Sequence, residues 1–351
     1  MKSIYKISAI VILIITLSPV LNVQAGNEDR SGQAGASELL INPWARSSGW
    51  GGANSATVHG LEAIYMNVAG TAFTTKTELI FSHTQWLKGS GIKINNFGLS
   101  QRLSETGVLS FSVTSMSFGD LLITTVDLPE GGIGTFSPNL MNIAISYAKA
   151  FSNSIYGGIT FKIISESVSD VSAQGVAIDA GIQYVTGEAE NIKFGISMKN
   201  VGPRMKFKGD GLSFRGFIPG NDNQFTVEQR SADYELPSLI NIGAAYDFKL
   251  NENHKLTAAG NFTSNSFTKD QYIIGLEYGF KSYLMLRAGY AYEKGITNKA
   301  DRTTAYTGPC GGFTVEVPLN KEKGSSFGLD YSYRATDPFQ GTHSMGVRIN
   351  L

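Results

Sequence analysis

The chain has 351 residues and a formal net charge of zero, from 29 basic and 29 acidic side chains. This balance excludes the basic excess that a nucleic-acid-binding surface needs, so we expect no nucleic-acid partner. The single cysteine, Cys310, excludes an intrachain disulfide and a cysteine-based metal cluster. Forty glycines, fifteen tyrosines, twenty phenylalanines and a mean hydropathy of -0.05 are typical of a membrane barrel with a polar lumen.

The N-terminus has the three parts of a secretory signal peptide. Lys2 and Lys6 precede an apolar run over 7–17. Val23-Gln24-Ala25 then resembles the small-residue motif at which leaders are cleaved. The sequence therefore predicts a leader over 1–25, removed after Ala25. The apolar run is shorter than the roughly 18 residues that a membrane-spanning helix needs, so we expect export without a helical anchor.

The segment 26–75 lacks any strand periodicity. Small residues dominate it, and large side chains such as Trp50 are few. Such a segment can fold inside a barrel lumen, where its backbone must approach the wall, and we predict a plug. The candidate plug residues are Trp50, Asn67, Ala69 and Gly70. The alternative is a periplasmic extension with no specific role.

From residue 76 to 351 apolar and small or polar residues alternate with a period of two, which places each set on its own face of a strand. Over 272–280, for example, Tyr272, Ile274 and Leu276 alternate with Ile273, Gly275 and Glu277. The predicted strands cover 77–87, 92–103, 107–126, 140–151, 154–167, 171–185, 191–200, 239–250, 254–263, 271–280, 283–293, 310–318, 326–334 and 342–351. The alternative is a soluble antiparallel sheet with one buried face.

The connections between these strands sort by length. Short turns follow every second strand, whereas the intervening connections include long loops at 128–137, 201–237 and 294–309. Short turns at one end and long loops at the other are the signature of an outer-membrane barrel. The predicted fold is therefore all-β: an antiparallel transmembrane β-barrel of about fourteen strands in a Gram-negative outer membrane.

The predicted lumen face carries charges of both signs, including Lys199, Asp330 and Arg348. We expect cross-strand pairs that rigidify the wall; a selective ion path would need charges of one sign. Motifs for metalloproteases, serine hydrolases and nucleotide binding are absent. We therefore predict a protein that is not an enzyme and has no cofactor. A hydrolase site on the barrel rim, built around Ser82 and His83, is the enzymatic alternative.

The segment 201–237 is longer than a plain connection requires. Aromatic residues beside charged ones are typical of protein-binding surfaces, which makes this loop the candidate partner-binding site. The candidate residues are Phe207, Phe214, Arg215, Phe217 and Phe225. Alternatively, the loop folds over the barrel mouth as a lid.

Four short motifs resemble the PorV/PorQ family. They are Ala45 to Ala53, Asn67-Val68-Ala69-Gly70, Ser82 to Leu87, and Asn200 to Pro203. The resemblance covers most of the mature chain, although Val68 stands where the usual family element has proline. It implies a FadL-like fold, a fourteen-strand barrel with an N-terminal plug.

The resemblance also implies a non-enzymatic role in type IX protein secretion. PorV-like proteins dock on the translocon, receive secreted proteins by their C-terminal sorting domains and pass them to the attachment machinery, within which PorQ-like proteins work. The expected partners are therefore outer-membrane lipid, such secreted proteins, and the translocon or attachment complex. The alternative is a FadL-like transporter of long-chain fatty acids or other hydrophobic solutes, which rests on fold analogy. A general porin would need an open lumen, which the predicted plug disfavours.

Overall fold

The computed structural model describes residues 26–217, 219–220, 223–281, 283–320 and 324–351. The predicted leader, 1–25, lies outside these residues. Fourteen antiparallel strands form one closed ring in the described part of the chain, as the sequence predicts. Each strand pairs with its neighbours along the chain, and the last strand pairs with the first, from Glu78 with Asn350 to Gln85 with His343.

The ring strands are β1 (Thr77–Gln85), β2 (Lys93–Arg102), β3 (Gly107–Ser117), β6 (Asn139–Ala150), β7 (Ile155–Val168), β8 (Val171–Thr186), β9 (Ile192–Val201), β13 (Leu239–Lys249), β14 (His254–Asn265), β15 (Gln271–Phe280), β16 (Leu284–Glu293), β17 (Tyr306–Asn320), β18 (Ser325–Thr336) and β19 (Thr342–Asn350). The shorter strands lie between them: β4 (Leu121–Leu122), β5 (Thr135–Phe136), β10 (Phe207–Lys208), β11 (Ser213–Phe217) and β12 (Gln224–Glu228).

The two faces of the ring strands differ as the period of two predicts. Outward side chains such as Phe81, Phe97 and Ile145 are exposed, whereas inward ones such as Ser82 and Asn96 are buried. An exposed apolar belt suits lipid and not water. Tyrosines near both strand ends flank this belt, with Tyr272, Tyr292 and Tyr333 at one end and Tyr147, Tyr184 and Tyr246 at the other.

Strand β3 is shorter than predicted. It ends at Ser117 because Gly119 has a φ of 75°, a left-handed conformation that breaks the extended chain. The following residues form a separate hairpin of β4 and β5 in the loop. The predicted continuation to residue 126 is therefore wrong, and the ring keeps one strand here.

The segment 26–75 threads the whole lumen. It begins at the long-loop end, where the Gly26 nitrogen contacts Asp270, and it enters β1 at the short-turn end, where the Leu351 nitrogen donates to Thr77. Long loops are extracellular in such barrels, so we call the two ends extracellular and periplasmic. The plug contains helices α1 (Ala45–Ser48) and α2 (Ala63–Met66) and a 3-10 segment, Val68–Phe73. Within the described residues, no helix is long and apolar enough to span a membrane.

Paired charges line the inner wall. Arg348 contacts both Asp330 oxygens, at 2.9 and 2.8 Å, and Thr314 also bonds to that carboxylate. Arg287 pairs with Glu277 directly across β15 and β16. Further pairs join Lys193 with Asp247 and Lys162 with Asp179. Both signs occur together, as the sequence predicts for a rigid wall.

Replacing Arg348 with methionine leaves the buried Asp330 carboxylate without its cation. We expect the free energy of unfolding to fall by about 3–5 kcal/mol, because an uncompensated buried charge remains. The measurement is urea unfolding in detergent, followed by tryptophan fluorescence. The double variant Asp330→Asn/Arg348→Met should recover most of the loss, and a double variant as unstable as the single one would contradict this account.

Candidate functional site: the plugged lumen

Trp50 anchors the plug against one sector of the wall. Its side chain is buried, and it packs where β15 and β16 carry glycines. A Cβ atom at Gly275 would lie 2.7 Å from the Trp50 ring, and one at Gly289 would lie 2.7 Å from the Trp50 carbonyl oxygen. Small wall residues therefore make room for a large plug side chain. The surrounding apolar cluster contains Ala53, Ala56, Ala245, Ala259, Ile273 and Ala291.

Asn67 joins the plug to the wall through hydrogen bonds. Its Nδ2 donates to the Ser55 carbonyl at 3.0 Å and to the Ile182 carbonyl on β8 at 3.1 Å. Its Oδ1 accepts from the Ala69 amide at 3.3 Å and so starts the 3-10 segment. The fully buried side chain thus fixes the plug both to itself and to the barrel.

Ala69 and Gly70 lie where the plug chain folds back on itself. Ala69 is fully buried. A Cβ atom at Gly70 would lie 2.1 Å from the Val58 carbonyl oxygen, so only glycine fits there. The structure thus places all four candidate plug residues inside the lumen, and their part in a function stays a prediction.

A cavity of about 360 Å³ lies between the plug and the extracellular half of the wall. Its apolar lining comes from the plug residues Leu40 and Ile41 and from the wall residues Leu239 and Ile273. Its polar lining includes Lys199, Glu293 and Arg334. The cavity therefore offers both an apolar surface and charged groups to a small molecule.

Lys199 is the most unusual group in this cavity. It is 2% exposed, and its Nζ lies 3.3 Å from the centre of the Tyr65 ring. Among the residues that the structure describes, no carboxylate lies within 4.0 Å of this nitrogen. Glu293 is already engaged, because it accepts from Gln271 at 2.9 Å. A buried amino group beside an aromatic ring and a cavity is a candidate anchor for an anionic ligand group, which would favour its protonated form.

The long loop between β9 and β13 completes the wall instead of lying wholly on the surface. Strand β10 pairs with the extracellular half of β8, and Met205 is buried against the plug and wall. Glu235 accepts hydrogen bonds from Arg30 and Arg204, which hold the pKa of its carboxyl below its usual range. One part of the loop is therefore fixed against the plug, an arrangement that resembles the lid given as the alternative for this loop.

The five candidate partner-binding residues do not form one patch. Phe207 is half-buried on β10, against the apolar cluster under the loop. The other four lie on the projecting hairpin of β11 and β12, where Phe214 is 54% and Phe217 is 66% exposed. The hairpin alone offers exposed aromatics, with Arg215 between them. Whether it binds a partner stays a prediction.

Ser82 and His83 do not form a hydrolytic pair. They are neighbours on β1, so their side chains point to opposite faces. Ser82 faces the lumen and donates to the Met345 carbonyl, whereas the His83 ring contacts Asn95 at 2.8 Å. The rim-hydrolase alternative therefore has no support in this pair.

Comparison with known proteins identifies the fold. The sequence matches no protein-family model and no curated protein. The Pseudomonas putida toluene transporter TodX is similar in structure, with a TM-score of 0.54 and 14% identity over 88% of this chain and 97% of that one. The Ralstonia pickettii toluene transporter TbuX has a TM-score of 0.53 and 11% identity, and the monoaromatic hydrocarbon channel CymD has a TM-score of 0.51 and 13% identity. Both comparisons cover 88% of this chain and 97% of the other. The chain shares the fold of these transporters.

This shared fold is the closed fourteen-strand barrel of the FadL-like expectation. At such low identity the likeness establishes the fold alone. It does not confirm the PorV/PorQ resemblance. The period of two predicts that Lys199 faces the lumen, but it does not predict the cavity beside it. The one sequence signal for a site here is a lysine at an inward position of a regular strand.

Adding a methyl group at Gly275 tests the packing of the plug. The new Cβ would overlap the Trp50 ring, so we expect Gly275→Ala to lower the free energy of unfolding by about 1–3 kcal/mol. It should also raise ion conductance across a planar bilayer, because the plug loosens. Gly279→Ala on the same strand is the matched control, since its Cβ would lie 3.9 Å from the nearest atom. Equal effects of the two substitutions would contradict the packing account.

Proposed function

We propose that the protein is an outer-membrane channel for small hydrophobic or amphiphilic molecules, with its binding site in the cavity between plug and wall. The observation that carries this proposal is the pairing of an apolar lining with the buried Lys199 amino group in one cavity. A cavity of about 360 Å³ is within the size range of small-molecule sites. The fold, shared with toluene transporters, supports the same class of solute.

The preferred ligand is an amphiphile with an anionic head. Its carboxylate would bind Lys199, and its alkyl chain would pack against side chains such as Leu40 and Ile273. Burial of the chain supplies affinity through the hydrophobic effect, and the charge-assisted hydrogen bond fixes its orientation. Long-chain fatty acids have this chemistry. Passage towards the periplasm requires the plug to move, because Trp50 packs on the wall and Asn67 bonds to it beside the cavity.

Replacing Lys199 with methionine removes the amino group and keeps most of the length of the unbranched side chain. We expect laurate to bind roughly 10–100-fold more weakly, because one hydrogen bond to a charged group contributes about 1.5–3 kcal/mol. Toluene, which has no head group, should bind with nearly unchanged affinity. The measurement is isothermal titration calorimetry on the purified barrel in detergent.

Lys149→Met is the control for loss of charge, since Lys149 is exposed at the periplasmic end of β6. It should leave both affinities unchanged. If both substitutions weakened laurate binding equally, the effect would come from the loss of net charge and not from a specific contact with Lys199. Absence of binding of either ligand to the parent protein would contradict the channel proposal.

The projecting hairpin favours a second candidate, a docking protein of type IX secretion. Exposed Phe214 and Phe217 beside Arg215 have the composition of a binding surface, and solvated aromatics in a loop gain free energy when a partner covers them. The partners would be secreted proteins with C-terminal sorting domains, or the translocon or attachment complex. This function is compatible with a plugged lumen because the partner stays outside.

Excising the hairpin tests docking without disturbing the barrel. The Gln229 amide donates to the Leu212 carbonyl at 2.8 Å, so a short glycine-serine linker can replace residues 213–228. We expect the excised protein to lose binding of a purified sorting domain, measured by biolayer interferometry, while its thermal unfolding stays unchanged. Phe214→Ser/Phe217→Ser should lose most of the binding as well. Unchanged binding in both variants would remove this candidate.

A further inference from the structure

The first described residue of the chain lies against a carboxylate at the extracellular mouth. The Gly26 nitrogen donates to Asp270 Oδ2 at 2.6 Å, and Oδ1 of the same carboxylate accepts from the Asn265 amide at 3.2 Å. The first distance is as short as a charge-assisted hydrogen bond. The residue concerned is the one that directly follows the predicted cleavage site.

The space around Gly26 admits only glycine. A Cβ atom would lie 2.8 Å from the Thr268 carbonyl oxygen and 2.9 Å from the Asp270 nitrogen. Both are backbone atoms of the loop between β14 and β15, so they cannot move aside as a flexible side chain can. The loop is thus shaped closely around the beginning of the plug.

The residues that follow Gly26 are held between two extracellular loops. The Arg30 guanidinium lies 4.3 Å from the centre of the Phe267 ring and pairs with Glu235 at 2.8 Å. The Gly35 amide donates to the Glu235 carbonyl at 3.0 Å. The extracellular end of the plug is therefore seated in a defined place, and Gly26 is its first described residue.

The direction in which the plug runs through the barrel determines whether leader removal or plug seating comes first. A leader directs the chain from the cytoplasmic side, whereas Gly26 lies at the opposite, extracellular end of the lumen. A seated plug that still carried its leader would have to place that leader outside the cell. The predicted cleavage therefore comes before seating, and it would leave the seated residue with a free amino group.

We propose that Asp270 is the binding site for the α-ammonium group that leader cleavage creates at Gly26. A signal peptidase hydrolyses the Ala25–Gly26 peptide bond with one water, leaving a carboxylate on Ala25 and a protonated amine on Gly26. A neutral amide with one N–H becomes a cation with three. The ion pair with Asp270 then fastens the extracellular end of the plug, so only the processed chain closes its mouth fully.

The test uses the mature protein purified from outer membranes. N-terminal sequencing should give Gly26. Acylation of the α-amine by an amine-reactive reagent at neutral pH is then followed by mass spectrometry of the N-terminal peptide, with lysine side chains as the internal reference. We expect Asp270→Asn to speed this acylation by about tenfold or more, because losing a one-unit rise in amine pKa frees tenfold more neutral amine.

Asp29→Asn is the control, since Asp29 is exposed and three residues from Gly26; its acylation rate should equal that of the parent. Gly26→Ala leaves Asp270 intact but displaces the nitrogen, so it should also speed acylation. If Asp270→Asn fails to reach the membrane, the acylation rate of Gly26→Ala compared with that of the parent tests the proposal instead. A mature N-terminus at another residue, or equal rates in the parent and the folded variants, would overturn the proposal.

Discussion

Close approach between plug backbone and barrel wall is the constraint on which this structure depends. Glycines stand in the wall at several of these approaches: a Cβ atom at Gly181 would lie 2.2 Å from Asn67 Oδ1, and one at Gly243 would lie 2.1 Å from Ser55 Oγ. A barrel of fourteen strands encloses more space than its own inward side chains fill. The lumen is filled because a chain of small residues meets a wall of small residues.

The plug fills the lumen unevenly along the barrel axis. The candidate binding cavity lies where the plug and the wall are not in contact. Trp50 packs against the middle of β15 and β16, and Asn67 bonds to the periplasmic half of β8. Nearer the extracellular mouth the plug leaves the wall, and the cavity with Lys199 opens between them. Loops seal the mouth, with Glu235 joining the plug to the wall-completing loop. The cavity can therefore hold a small molecule between the plug and the wall.

The sequence predicts the barrel well because its signal is local. The period of two predicts the observed bounds of β15, Gln271–Phe280. The alternation of short and long connections predicts which end of the barrel is extracellular. Strand β17 begins earlier than predicted, at Tyr306, because Gly308 and Pro309 read as a turn but lie in a register shift. The addition of β10 to β8 and the cavity arise from contacts between distant segments, for which no local pattern exists.

The central claim is that a small amphiphile binds between plug and wall. The most direct measurement is a crystal structure of the protein with a bromine-labelled fatty acid, located by anomalous scattering. The account predicts a bromine peak inside the lumen, in the cavity, with the carboxylate density at Lys199. Bromine only on the lipid-facing surface, with an unchanged empty cavity, would contradict it and leave the exposed hairpin as the functional surface.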